Sequence, residues 1–378
     1  MRIGFFVPYF DPRPAGVGVY IEEIGKRLCA RNAETVVYTP RPEVMPAWLK
    51  PHQLRYLSAG MPSLGGAGAQ RRALRLAWLL AGARRAVVRD RVDVFLSPGP
   101  EVALGLPVPS VMVIHDLTVL RFPEAYQRAT VLQTRYLLPQ MARTATRIVA
   151  VSENTKRDLV SDLGLAGSGI DVVGEGFDAA TFYPRDEATV ASVRAKFDLK
   201  RPFLFYAGTL SRHKNLKVVL QALAALSVSE PELEFVLGGR KDVGVGGELD
   251  REAARLGLSS RFRSLGYVTR DELAALMSAC AAFVYPSRYE GFGLAPLEAM
   301  ACGAPVVASR VASLPEVIGD GGFLVPEGQD WASVIQQAIN APRAVQAARA
   351  VAQAQRFDWD VAVDQLQSVL ERVVRENQ

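Results

Sequence analysis

The sequence predicts an α/β protein built from two doubly wound parallel sheets. Three observations predict it. Short runs rich in Val, Ile and Phe recur along the chain with helical periodicity between them, the pattern of parallel strands alternating with helices. The scheme is played twice, on either side of a polar stretch near residue 180. Finally, 378 residues is too many for one ordinary domain and comfortable for two of roughly 150 to 200.

In the first half the strand-like runs are Ile3 to Val7, Thr35 to Tyr38, Val92 to Leu96, Ser110 to Ile114 and Ile148 to Val151. The opening MRIGFFVPYFDPRP reads as a buried first strand rather than a signal peptide, because Pro8 and Asp11 interrupt its apolar run and no small-residue cleavage site follows. In the second half the runs are Phe203 to Ala207, Phe235 to Leu237, Ala282 to Tyr285, Pro305 to Ala308 and Phe323 to Val325, with helices such as Asp271 to Ala281 between them. Gly174-Glu175-Gly176-Phe177-Asp178 and the polar stretch to Lys200, which contains Pro184, mark the boundary between domains 1–180 and 181–356. Residues 357–378 form a terminal amphipathic helix, with Val363, Leu366, Leu370 and Val373 at helical spacing and Asp358 as its N-cap. The small-residue stretch Ser63 to Ala69 reads as a mobile loop.

Composition excludes several classes. With 49% hydrophobic and 22% charged residues the chain is globular, neither disordered nor fibrous. Cys29, Cys280 and Cys302 are too few and too scattered for a disulfide framework or a zinc site, which fits a reducing cytoplasm. The clean apolar stretch Leu76 to Ala83 is far short of the roughly 20 residues that span a bilayer. A net charge of +5 suits acidic ligands without requiring nucleic acid. Its distribution is uneven: seven arginines and one acid, Asp90, lie between Arg71 and Arg91. At 100° per residue, Arg71, Arg75, Arg85 and Arg89 share one helix face and Leu76, Leu80 and Val87 the other. Trp78 falls on the arginine side, so the segment is expected either to be a solvated helix face or to touch an anionic membrane surface.

In open α/β sheets ligands bind at the carboxyl ends of strands. After the run ending at Tyr285 comes Pro286-Ser287-Arg288-Tyr289-Glu290-Gly291-Phe292-Gly293-Leu294-Ala295-Pro296-Leu297-Glu298, a glycine turn entering a helix. Such a helix start directs backbone N–H groups and the positive end of the helix dipole at the strand terminus, an anion site. Glu290 and Glu298 flank it, placed to accept hydrogen bonds from sugar hydroxyls on either side of a diphosphate. Gly208-Thr209-Leu210-Ser211-Arg212-His213-Lys214-Asn215 follows another strand and supplies cations for a departing diphosphate. Gly16-Val17-Gly18 precedes a helix in the first half, but Ile21 stands where a dinucleotide fingerprint needs its third glycine, so NAD binding is not expected. His115-Asp116 directly follows the strand Ser110 to Ile114, and Ser152 in the sequence VAVSENT reads as a helix cap. Asp358-Trp359-Asp360 has the form of a DxD metal motif but opens the last helix, away from any strand end.

The segment from Glu290 to Glu298 resembles the Glu-x7-Glu signature of retaining glycosyltransferases with the GT-B fold, particularly glycosyltransferase family four. The resemblance extends over most of the second half and more thinly over the first. It implies two Rossmann-like domains facing a cleft, with the final helix crossing back to the N-terminal one. It implies that Glu290 meets hydroxyls of the transferred sugar, that the backbone around Phe292, Gly293 and Leu294 meets that sugar and the diphosphate, and that Glu298 meets the nucleotide ribose. Arg212 and Lys214 match the cations facing the donor phosphates, with Lys217 as a substitute and Thr209 where many relatives carry arginine. Gly208 and Val268 join the donor-binding set, Gly16 and Gly18 match the glycine-rich first loop, and His115 matches a histidine facing the donor sugar.

The expected activity is retaining transfer of a hexose from a nucleoside-diphosphate sugar, needing no metal or cofactor, because stabilising the leaving diphosphate is the principal task. The run from Gly208 to Asn215 is similar to enzymes of bacterial surface-polysaccharide synthesis that use GDP-mannose-like donors, so the expected acceptor is a glycan or polyprenyl-linked glycolipid. The expected location is the cytoplasm, with peripheral contact at the inner face of the plasma membrane through Arg71, Arg75, Trp78, Arg85 and Arg89. Two other classes share the architecture: a sugar-nucleotide epimerase, which would turn over donor alone, and a non-catalytic sugar-nucleotide-binding protein, which would not turn over at all.

Overall fold

The computed structural model describes residues 1–8, 16–32, 34–39, 46–57, 75–239 and 243–378, with residues 243–246 described by backbone only. Arg71 and the stretch Ser63 to Ala69 lie outside the described residues. The chain divides into two compact units, Met1–Glu175 with Trp359–Gln378, and Gly176–Asp358.

The first unit runs β1 (Ile3–Phe6), α1 (Val17–Arg31), β2 (Val36–Thr39), β3 (Leu54–Tyr56), α2 (described over 75–77), a π-helical turn (Trp78–Gly82), α3 (Ala83–Arg89), β4 (Val94–Ser97), β5 (Ser110–Ile114), α4 (Thr118–Arg121), α5 (Arg128–Thr144), β6 (Arg147–Ala150), α6 (Glu153–Leu163) and β7 (Ile170–Val172). Its seven strands are all parallel in the order β3-β2-β1-β4-β5-β6-β7. The second unit runs α7 (Glu187–Lys196), β8 (Phe203–Ala207), α8 (Lys217–Ala225), β9 (Glu234–Gly238), α9 (Val243–Arg255), β10 (Phe262–Ser264), α10 (Arg270–Ala279), β11 (Ala282–Tyr285), α11 (Leu294–Ala301), β12 (Val306–Ser309), α12 (Leu314–Ile318), β13 (Phe323–Val325), α13 (Trp331–Asn340) and α14 (Arg343–Ala354). Its six parallel strands take the order β10-β9-β8-β11-β12-β13.

The expected α/β class with two doubly wound sheets is what the structure shows. Central strands such as β5 and β8 are buried along their whole length, which explains their unbroken apolar runs. Three strands escaped the sequence reading, β3, β7 and β10. Each is three residues long, partly exposed and at a sheet edge, so it carries no apolar run to detect.

Two expectations for the arginine-rich segment are corrected. Trp78 is buried, 2% exposed, and packs among Phe6, Tyr38 and Phe95 with ring centroids 5.6, 5.4 and 6.3 Å away. It is an anchor of the first unit's core and touches no surface. Arg75 is drawn to Glu101, with Nη2 to Oε1 at 2.7 Å, whereas Leu80 is 55% exposed. The π turn accommodates an extra residue and shifts the helical phase of everything after it, so a uniform 100° step misassigns the faces.

α15 (Trp359–Glu376) belongs to the first unit and packs on α1. Val363, Leu366, Leu370 and Val373 form its buried stripe as expected. Trp359 meets the ring of Tyr20 edge-on at 5.8 Å, and Asp360 pairs with Arg27 at 3.3 Å and with Arg31. Asp358-Trp359-Asp360 is therefore a packing element, with its tryptophan in the core and Asp360 tied to arginines.

Candidate functional site

In the second unit the sites singled out from sequence cluster at the carboxyl ends of β8, β9 and β11. The chain leaves β8 through Gly208, at φ +145°, beside Gly239, at φ +128°. A Cβ on Gly239 would lie 2.8 Å from the Gly208 carbonyl oxygen, so the close approach of these two strand-end loops requires glycine there. The Val268 side chain closes on the same place, 3.6 Å from where a Gly238 Cβ would be. Thr209 is exposed, and its carbonyl accepts a hydrogen bond from the Tyr206 hydroxyl at 3.1 Å. Asn215, at φ +53°, then turns the chain into α8.

After β11 the chain passes Glu290 and the glycine turn and enters α11, whose N-cap is Gly293 at φ +114°. A Cβ there would approach the Leu314 side chain to 2.9 Å. The first amides of α11 have no partner within the helix, which makes this turn a place for an anion. The turn is pinned from outside: the fully buried Ser313 hydroxyl lies 3.0 Å from the Glu290 carbonyl and 2.7 Å from that of Phe292. Phe292 is buried against Phe357, and Glu298 is 7% exposed on α11.

The structure separates the three cations by environment. Lys214 turns inward to an ion pair with Glu290 and lies 3.2 Å from the Tyr285 hydroxyl, its ammonium 5.2 Å from the centroid of that ring. Arg212 and Lys217 are largely exposed and share one carboxylate, Glu248 on α9, at 2.7 and 3.4 Å. The hydrogen bond from Arg212, reinforced by Lys217, holds the Glu248 carboxyl below its usual range. Tyr206 and Tyr285 stack at 5.7 Å, and burial pushes both phenols well above the usual value, so they are neutral hydrogen-bonding groups. Tyr206, Tyr285, Glu248 and Ser313 were not read from the sequence. The two tyrosines sit near the ends of paired strands, a signal that was there to find.

In the first unit, α1 begins at Val17 with Gly16, φ +51°, as N-cap. Gly18 is thus inside the first turn rather than ahead of the helix. His115 is 8% exposed, with Nε2 2.8 Å from the Pro98 carbonyl, Nδ1 3.3 Å from the Glu175 carboxylate and the Tyr20 ring edge-on at 4.6 Å. Burial alone disfavours the imidazolium, but the Glu175 carboxylate, itself buried, and the Pro98 carbonyl outweigh it, so the histidine pKa lies above its ordinary value. Each ring nitrogen thus faces an oxygen, the Pro98 carbonyl on one side and the Glu175 carboxylate on the other. Ser152 caps α6 as expected, accepting from the Thr155 amide at 3.0 Å, and the Thr155 hydroxyl donates to the His115 carbonyl at 3.1 Å. Among the described residues no group of three His, Cys, Asp or Glu side chains is arranged to hold a metal ion.

Residues 190–356 match the family model described as glycosyl transferases group 1, and residues 14–181 match that of glycosyltransferase family 4. The chain is 33% identical over 259 residues to the O-antigen chain mannosyltransferase B of Escherichia coli, covering 66% of this chain and 67% of that one. It is 30% identical to the alpha-maltose-1-phosphate synthase of Mycobacterium tuberculosis over 90% of this chain and 89% of that one. The match spans only 32% of the length of a serotype-specific mannosyltransferase WbdA of Escherichia coli and 56% of that of a D-inositol 3-phosphate glycosyltransferase of Streptosporangium roseum. Among solved structures, the Anabaena Alr3699/HepE protein in complex with UDP superimposes with a TM-score of 0.76 at 25% identity, covering 98% of this chain and 100% of that one. The chain belongs to the group 1 glycosyltransferases, with a family 4 N-terminal domain, and its fold is GT-B.

Proposed function

We propose that this glycosyltransferase is a retaining, metal-independent hexosyltransferase that moves a mannose-like sugar from a nucleoside-diphosphate donor to a glycan or polyprenyl-linked glycolipid during surface-polysaccharide synthesis, at the inner face of the plasma membrane. The observation that carries the reading is the joining of Lys214 to Glu290 at the mouth of the α11 helix start, with Glu298 one turn inside it. A cation, an amide-rich turn and two carboxylates are what a sugar diphosphate needs at one strand end. The mannosyltransferase relative supports the sugar, and the UDP held by the solved neighbour supports a nucleotide donor without deciding the base.

Breaking the bond between the anomeric carbon and the diphosphate oxygen leaves negative charge on phosphate. Lys214 and the amides of Phe292, Gly293 and Leu294 stabilise it, assisted by Arg212 and Lys217, while Gly208, Thr209 and Val268 line the donor. Lys214 is paired with Glu290, so an arriving diphosphate shares that cation and leaves the carboxylate open to sugar hydroxyls. Glu298 holds the ribose. His115 faces the transferred sugar, and the Gly16–Gly18 helix start offers amides to phosphate.

Thermal-shift screening against UDP-, GDP-, ADP- and dTDP-sugars identifies the donor, since a ligand at 100 times its dissociation constant adds roughly 2.7 kcal/mol. Incubation with acceptor and EDTA followed by proton NMR then reads the linkage. A metal-dependent reaction or an inverted product overturns the mechanism, and turnover of donor without acceptor points instead to an epimerase.

A further inference from the structure

The side of the first sheet that carries Trp78 is covered by α3, α5 and α6. Ala83, Ala86 and Val87 of α3 and Leu138, Met141 and Ala142 of α5 enter one core cluster with the strand residues Phe95, Met112 and Ile148. Both helices thus turn their opposite faces outward from the same layer. Those faces are unusual. Val88 on α3 is 61% exposed and Leu80 in the π turn before it 55%, and Leu132 and Tyr136 are 53% and 63% exposed one turn apart on α5. Neither α3 nor α5 contains an acidic residue, and α5 carries Arg128, Arg135 and Arg143. Arg84, Arg85, Arg128 and Arg135 are exposed and have no ion-pair partner among the described residues. Asp90, which follows α3, is already held by Arg89 at 2.8 Å and Tyr38 at 2.9 Å.

At Arg135 of α5 a cavity of about 520 Å³ opens among Leu120, Arg121, Arg135, Pro139, Arg143 and Leu163. Its acid, Asp162, is committed to Arg121 at 2.9 Å and to the Ser161 hydroxyl at 2.7 Å. Arg143 donates to the Leu163 carbonyl at 3.2 Å, which leaves Arg135 as the uncommitted cation at the rim. The volume lies in the range of small-ligand sites, and none of the donor-site residues lines it.

We infer that this outer face docks on an anionic phospholipid surface, with the cavity beside Arg135 receiving a lipid phosphate headgroup. Exposed Leu and Tyr flanked by arginines is the composition of an interfacial helix: the apolar side chains enter the headgroup boundary and the guanidinium groups pair with phosphate. The inference rests on the proposed inner-membrane location and names the surface for it, in place of the Arg75 and Trp78 face that the packing rules out.

Co-sedimentation of the whole protein with vesicles of phosphatidylcholine alone, and of phosphatidylcholine with phosphatidylglycerol, tests it without any sugar donor. Binding is expected only to the anionic vesicles, and Arg84→Gln, Arg85→Gln and Arg135→Gln each weaken it roughly fivefold. Leu132→Ser combined with Tyr136→Ser abolishes what remains at high salt. If that double variant does not fold, the arginine variants decide alone. Equal partitioning of the parent onto both vesicle types, or full binding by the variants, overturns the inference. Stabilisation by inorganic phosphate through Arg135 with no vesicle binding assigns the cavity to free anions and overturns the lipid reading. Transfer to a soluble acceptor is read separately, so failure here leaves the sugar-transfer reading standing.

Discussion

Lys214 and Glu290 form an ion pair in which the two side chains are 12% and 13% exposed, and the same ammonium lies within hydrogen-bond distance of the Tyr285 hydroxyl. A pair this sheltered is sensitive to loss of either partner, because the survivor keeps a charge with little water to solvate it. The arrangement also means that neither group can be altered without changing what the other does.

Glu290→Gln keeps side-chain size and one acceptor but removes the charge. Its turnover number falls at least tenfold, on the scale of roughly 1.4 kcal/mol per tenfold loss of transition-state stabilisation. Affinity for the bare nucleoside diphosphate stays equal or rises, since Lys214 is released from its partner. Calorimetry and initial rates measured together check this, and a variant as fast as the parent refutes the role.

Glu298→Ala separates from it. Loss of charge-assisted hydrogen bonds to the ribose weakens binding of both donor and nucleoside diphosphate by about 1.5 to 3 kcal/mol. Titration calorimetry with the diphosphate shows it, and unchanged affinity removes Glu298 from the ribose.

Ala312 holds φ at +49°, a left-handed conformation that an L side chain resists, and the next residue is the Ser313 that pins the glycine turn. Ala312→Gly relieves the strain and stabilises the fold by up to ~1 kcal/mol, after the extra entropy of the unfolded glycine is subtracted. Ser313→Ala costs about 1 kcal/mol and lowers turnover by loosening the carbonyls of Glu290 and Phe292. Urea unfolding of both variants gives the signs, and a destabilised Ala312→Gly contradicts the strain.

The His115–Glu175 pair makes stability depend on pH. Because the folded pKa is raised, folding takes up protons at this site, so its contribution is complete below pH 6.5, the unfolded value, and is lost as pH climbs through the raised folded value. His115→Gln removes that dependence. The stability difference between parent and variant therefore shrinks as pH increases across that window, which denaturant titrations at several pH values measure; a difference that grows instead reverses the assignment.

The buried central strands and the β11–α11 turn were legible because they impose strict demands on sequence: apolar runs where both sheet faces are covered, and glycine where φ is positive or backbones touch. Edge strands β3, β7 and β10 impose neither demand. Trp78 was misread because one π turn defeats an even helical phase, a deviation that side-chain chemistry does not announce. The partners of Arg212 and of the glycine turn were hidden for another reason. Glu248 reaches Arg212 from 36 residues away and Ser313 reaches Phe292 from 21, and long-range pairing leaves no local pattern.

The first unit is assembled from the two ends of the chain, with everything from Gly176 to Asp358 inserted between them. On the ribosome, the surface of α1 that receives α15 waits through the synthesis of an entire second unit. At about 5 to 20 residues per second that is a delay on the order of ten to forty seconds. Throughout it Tyr20 lacks its Trp359 neighbour, and the apolar groove for Leu366, Leu370 and Val373 stands open to water and to chaperones. The order of translation thus makes the second unit the first able to finish folding, and the closing helix acts as the latch that commits the earlier one.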